Sequence, residues 1–107
     1  MIVEMRTYTL ALGATGRYFK LYGEKGLAVQ KRILGHLVGY YSVEVGPLNQ
    51  VIHLWAYENL EERARRRAAL WADKEWLAYV AEVGGLVIAQ ENQILTPAPF
   101  FQVPPPA

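Results

Sequence analysis

Apolar and polar positions along this chain change period several times, and each change marks an element. Ile2 to Leu10 alternates and is rich in β-branched and aromatic residues, which predicts a strand. Leu12 to Gly16 is a turn. From Arg17 to Leu34 the spacing becomes helical, with Tyr18, Leu21, Tyr22, Lys25, Val29 and Ile33 near one stripe. Gly23 and Gly26 weaken that helix by about 1 kcal/mol each relative to Ala. They predict a kink there, or close approach to a neighbour. Gly35 ends the helix. His36 to Val45 and Gln50 to Glu58 are the next two strands, joined by Gly46-Pro47-Leu48-Asn49. Asn59 caps a helix and Glu62 completes a capping-box pattern. Glu61–Arg65 and Glu62–Arg66 are supporting i,i+4 pairs. Leu60, Ala64, Ala68 and Trp71 form the predicted inward stripe. Asp73 caps a further helix, Lys74 to Val83, which Gly84-Gly85 stops. Leu86 to Thr96 is the last strand.

The order β-α-β-β-α-β predicts a ferredoxin-like α+β sandwich with its helices on one face of the sheet. The domain spans residues 1–101, and residues 102–107 form a proline-rich tail, expected to be extended and disordered at its end.

The alternation also assigns faces. With Pro47 and Leu48 at the turn centre, Glu44 lies opposite Val51, Ser42 opposite His53 and Tyr40 opposite Trp55. One face of the hairpin then carries Tyr40, Ser42, Glu44, Val51, His53, Trp55 and Tyr57. The other carries Tyr41, Val43, Val45, Ile52, Leu54 and Ala56, the natural seat for the helices. In this fold the first and third strands are neighbours, so Glu4, Arg6 and Tyr8 join the first face. That face is too rich in aromatic surface to be left to water. A homodimer that stacks two such sheets is expected, with the partly buried charges paired.

Composition narrows the function classes. The 107 residues are 52% hydrophobic and 20% charged, with a formal net charge of +1, so no polyanion partner is indicated. The arginines at 63, 65, 66 and 67 read as a solvated helix face, offset by Glu61 and Glu62, and not as a nucleic-acid surface. Arg63 and Arg67 share one side, from which they could reach a strand carboxylate or an anionic ligand. Cysteine is absent and the two histidines lack ligand spacing, so no metal or cofactor is expected. There is no signal-peptide pattern and no run of roughly 18 apolar residues, so a cytoplasmic, non-membrane protein is expected.

Candidate chemistry concentrates on the polar face. Glu44 and His53 are the candidate acid/base pair, since imidazole titrates near neutrality. Glu4, Arg6, Tyr8, Trp55, Tyr57 and Arg63 are candidate ligand contacts, because guanidinium grips carboxylates in bidentate fashion. The plainer reading makes His53 a strand histidine bonded to Ser42 or Glu44, and the charges an ion-pair network closing the dimer. A small-molecule site and a non-catalytic homodimeric module therefore stay side by side.

The runs Glu4-Met5-Arg6-Thr7-Tyr8, Gly39-Tyr40, Glu44 to Asn49, His53-Leu54-Trp55-Ala56-Tyr57, Glu62-Arg63-Ala64 with Arg66-Arg67, and Asp73 with Trp76 resemble the NIPSNAP family. The resemblance extends from Met1 to about Phe101. It implies the dimeric α/β-barrel variant of the ferredoxin-like fold. The wider barrel class includes cofactor-free monooxygenases, isomerases and haem-degrading enzymes. The family itself implies no defined reaction, so cofactor-independent acid/base chemistry on an aromatic or acyl molecule is an expectation from the residues alone.

Overall fold

The computed structural model describes residues 1–106; Ala107, the last residue of the expected tail, lies outside them. The elements are β1 (Ile2–Leu10), α1 (Thr15–Leu21), a π-helical turn (Tyr22–Gly26), α2 (Leu27–Leu34), β2 (His36–Ser42), β3 (Gln50–Tyr57), α3 (Leu60–Trp71), α4 (Lys74–Val83) and β4 (Val87–Leu95). The strands pair antiparallel in the order β2-β3-β1-β4. This is the ferredoxin-like α+β arrangement predicted from the element order. No helix among the described residues is long and apolar enough to cross a membrane.

Local chemistry sets the helix boundaries. Asn59 Oδ1 accepts from the Glu62 N–H at 2.8 Å, and Asp73 Oδ1 from the Trp76 N–H at 3.0 Å. Each such cap is worth about 1 kcal/mol. The first predicted helix is interrupted by the π turn, where Gly23 and Gly26 sit. Gly26 is also a point of close approach. A Cβ there would lie 2.9 Å from Tyr22 Cδ1 and 3.0 Å from Tyr79 Cζ, so only glycine lets α4 come this near.

The partition of the sheet into two faces holds, but the helices cover the opposite face from the one expected. Val51, His53, Trp55 and Tyr57 are all buried beneath them, with Glu4. The apolar set is the open face, where Tyr41 is exposed and Ile52 and Leu54 are half-buried. The physical reason is that these large aromatic side chains pack against the rings of the helix layer, while Tyr40 and Glu4 find polar partners there in Tyr18 and Arg63. Tyr18, Tyr22, Trp76 and Tyr79 of the helices complete it.

The hairpin register also differs. Residues 43–49 form a longer loop, and Tyr40 faces His53 while Ser42 faces Val51. Asn49 takes a left-handed φ of 65° and its carbonyl accepts from the Leu10 N–H at 2.7 Å, which fixes the loop against β1. Glu44 consequently leaves the sheet and is exposed in the loop.

α3 is turned from its predicted orientation. Leu60 and Trp71 are 58% and 48% exposed, whereas Arg63, Arg66 and Arg67 are half-buried beside Leu70. Aliphatic arginine stems pack as apolar surface, and two heads have fixed inward partners. Arg63 Nη2 donates to Glu4 Oε2 at 2.6 Å, and Arg66 Nη1 to the Ile33 carbonyl at 3.0 Å. The described part of the tail is extended, as expected, and makes a polar contact with the domain. Phe101 and Val103 border a cleft on the open face together with Val3, Val38 and Leu54, and His36 Nε2 donates to the Pro104 carbonyl at 2.7 Å.

Candidate functional site

Between the central strands and the helices lies a chamber of about 130 Å³. Its floor is Arg6 and Tyr8 of β1, Tyr40 of β2 and His53 of β3. Its walls are Tyr18 and Tyr22 of the first helical segment, Gln30 of α2, Arg67 of α3, and Trp76 and Tyr79 of α4. Trp71 and Gln90, both exposed, stand at its rim.

The tyrosines are fixed by paired hydroxyls and stacked rings. The Tyr18 and Tyr40 hydroxyls are 2.6 Å apart, and the Tyr22 hydroxyl donates to Gln30 Oε1 at 2.6 Å. The Tyr40 ring stacks on His53, centroids 4.5 Å apart and planes 13° from parallel, while Tyr8 meets the imidazole edge-on at 4.8 Å. Burial pushes the Tyr18, Tyr22, Tyr40 and Tyr79 hydroxyls well above the ordinary phenol range. All four stay protonated at neutral pH.

His53 is held in one tautomer. The Trp55 indole N–H, which can only donate, points at His53 Nδ1 from 2.7 Å. Nδ1 is therefore an acceptor, and the ring proton sits on Nε2. That Nε2 is buried and has no partner among the described residues. Burial, then the nearby Arg6 charge, lowers the His53 pKa to about 3, with Glu4 opposing and Arg67 adding to the effect. At neutral pH His53 is thus an uncharged donor and a weak base.

Behind the chamber, Glu4 is fully buried and organises the cations. Its Oε2 accepts from Arg63 at 2.6 Å, Asn92 at 2.8 Å and Arg6 at 3.2 Å. Arg6 Nε also donates to the Tyr8 hydroxyl at 3.2 Å.

The candidate residues read from sequence therefore separate into groups. Arg6, Tyr8 and His53 line the chamber. Glu4, Trp55 and Arg63 stand behind it and set the position of those that do. Tyr57 is buried at the other end of β3, beside the C-terminal tail, and does not line the chamber. Glu44 is remote from His53 in register and exposed, so the acid/base pair expected from the sequence does not form. Neither Ser42 nor Glu44 bonds His53; Trp55 does. Gln30 and Tyr79 were not singled out by sequence reading. Gln30 falls outside the stripe because a regular helix projects it elsewhere, and the π turn brings it in.

A model of the NIPSNAP family matches residues 3–102. Human protein NipSnap homolog 3A is 39% identical over 105 residues, covering 96% of this chain and 42% of that protein. The chain spans between 19% and 42% of the length of the curated relatives it matches. A crystal structure of a NIPSNAP family protein with unknown function from Agrobacterium tumefaciens superposes with a TM-score of 0.94 at 43% identity, covering 96% of this chain and 93% of that one. An antibiotic biosynthesis monooxygenase structure shares the fold alone, at a TM-score of 0.63 and 11% identity, covering 92% of this chain and 100% of that one.

Proposed function

The chain belongs to the NIPSNAP family, and from the shape of its chamber we propose that it binds a small planar molecule there, anchored by the Nε2–H of neutral His53. The observation that carries this reading is the orphaned His53 donor in an aromatic-walled cavity. A buried N–H without an acceptor costs roughly 1–3 kcal/mol, which a ligand oxygen would recover. If the bound molecule reacts, His53 acts by donating a hydrogen bond to oxygen as charge develops on it. It does not act as the base of a carboxylate–imidazole pair, and no carboxylate lines the chamber. A thermal-shift screen of single-ring carbonyl and carboxyl compounds tests the idea. At a hundred times its dissociation constant a true ligand stabilises by about 2.7 kcal/mol. The shift should vanish in His53→Ala and should be constant from pH 5 to pH 8. Binding that titrates near pH 6.5 would mean His53 acts as an ordinary imidazole.

A second proposal concerns assembly. We infer that two copies join through the open sheet face. The residues differ from those expected at first, because the aromatic set is under the helices. Supporting this, Tyr41 is 60% exposed, and Met5, Ile52 and Leu54 on the central strands are only half-buried. Light scattering at micromolar concentration should give twice the chain mass, and Ile52→Lys should give the monomer. A monomeric wild type rules the dimer out. A dimer that binds nothing in the screen would instead favour a non-catalytic interaction module.

A further inference from the structure

The chamber's polar atoms are unequally divided between donors and acceptors. Two guanidiniums, Arg6 and Arg67, line it, and no aspartate or glutamate does. Glu4, the carboxylate behind them, already serves Arg6, Arg63 and Asn92. Arg67 makes no hydrogen bond and no ion pair among the described residues. Two further N–H groups in the lining are buried without acceptors, His53 Nε2 and Trp76 Nε1. Both buried side-chain atoms in the lining that lack partners are thus donors, and Arg67 beside them carries a full positive charge. A half-buried charge of this kind calls for a counter-charge.

Most of the remaining wall is aromatic, with Val80, Val83 and Val87 beside the rings, and the volume of about 130 Å³ is close to the roughly 150 Å³ of a cavity that holds benzene. We propose that the chamber's ligand is a single-ring aromatic carboxylate, its carboxylate gripped by Arg67 and Arg6 and its ring held among the tyrosines. This rests on the small-molecule reading above and adds the ligand's charge and size. The planar guanidinium fork matches a carboxylate in a way a neutral amide cannot.

Calorimetric titration of the full chain with benzoate and with benzamide, its near-isosteric neutral analogue, tests the assignment. Benzoate should bind at least tenfold tighter. Arg67→Met should remove that preference and leave benzamide affinity within twofold, while Arg65→Met, on the exposed side of α3, should change neither. Arg67→Met deletes an unpaired charge and should fold; Arg67→Gln is the second variant if it does not. Benzamide binding as well as benzoate overturns the anion assignment and leaves the chamber reading intact. Binding of neither compound overturns both.

Discussion

Replacing Glu4 with Gln is expected to remove about 3 kcal/mol of folding stability, the figure for breaking a buried ion pair from one side. The change keeps the shape of the side chain while removing its charge and exchanging one acceptor oxygen for an NH2 donor. Glu4 is fully buried and its Oε2 alone accepts from Arg63, Asn92 and Arg6. Without the carboxylate, Arg6, Arg63 and Arg67 face one another with no counter-charge. Arg6 and Arg63 keep 11% and 24% of their side-chain surface in solvent, which places the loss at the lower end of the buried range. Calorimetry should show a fall in Tm of more than about 10 °C. Burial alone would raise the Glu4 pKa, but the hydrogen bonds from Arg63 and Asn92 and the charges of Arg6 and Arg63 outweigh it and hold the carboxyl below its ordinary value. The contribution is therefore full above the unfolded pKa of about 4.3 and is lost as pH falls through the folded value. The difference between wild type and Glu4→Gln should shrink in acid. A loss under about 1 kcal/mol at neutral pH would mean that solvent screens the cluster.

Acidification between pH 7.5 and pH 4.5 should cost about 2.5 kcal/mol through His53 alone. Its folded pKa of about 3 lies below the unfolded value near 6.5. Above pH 6.5 both states are neutral and the group is silent. Below it the unfolded chain takes up a proton that the folded chain refuses, so stability falls by about 1.4 kcal/mol per pH unit until the folded pKa is reached. Most of this window lies above the range in which Glu4 acts. Urea unfolding at a series of pH values checks it. His53→Gln, whose side-chain oxygen can still accept from Trp55, should flatten the curve. Parallel curves for the two proteins would show that His53 protonates freely in the fold.

Element order, both side-chain caps and the parity of the strands could be read from the sequence because each depends on neighbours a few residues away. Asn59 and Asp73 cap their helices through contacts three residues on. The layer beneath each face could not be read that way. A hydropathy pattern ranks Ile52 and Leu54 above His53 and Tyr40, yet buried hydroxyls and imidazoles become core once they have partners, and those partners come from distant segments. Tyr18 reaches Tyr40, and Arg63 reaches Glu4, across gaps of 22 and 59 residues. The shared side of Arg63 and Arg67 was legible from their spacing, and Arg63 does reach a strand carboxylate, whereas the inward turn of Arg66 was not. The hairpin register failed for a different reason. Pro47 suggests a tight turn, but residues 43–49 follow a longer loop, so Glu44 appeared to lie on the sheet when it does not.

The π turn at Tyr22–Gly26 changes how this segment should be compared with others. A regular helix advances about 100° per residue. Loss of one residue within the turn would leave composition and hydropathy almost untouched, yet would swing Val29, Gln30 and Leu34 about a quarter-turn around the axis. Along this stretch, spacing is thus itself a heritable character of the chamber. A single-residue gap in an alignment between Tyr18 and Gln30 marks a remodelled cavity, even where every aligned side chain is identical.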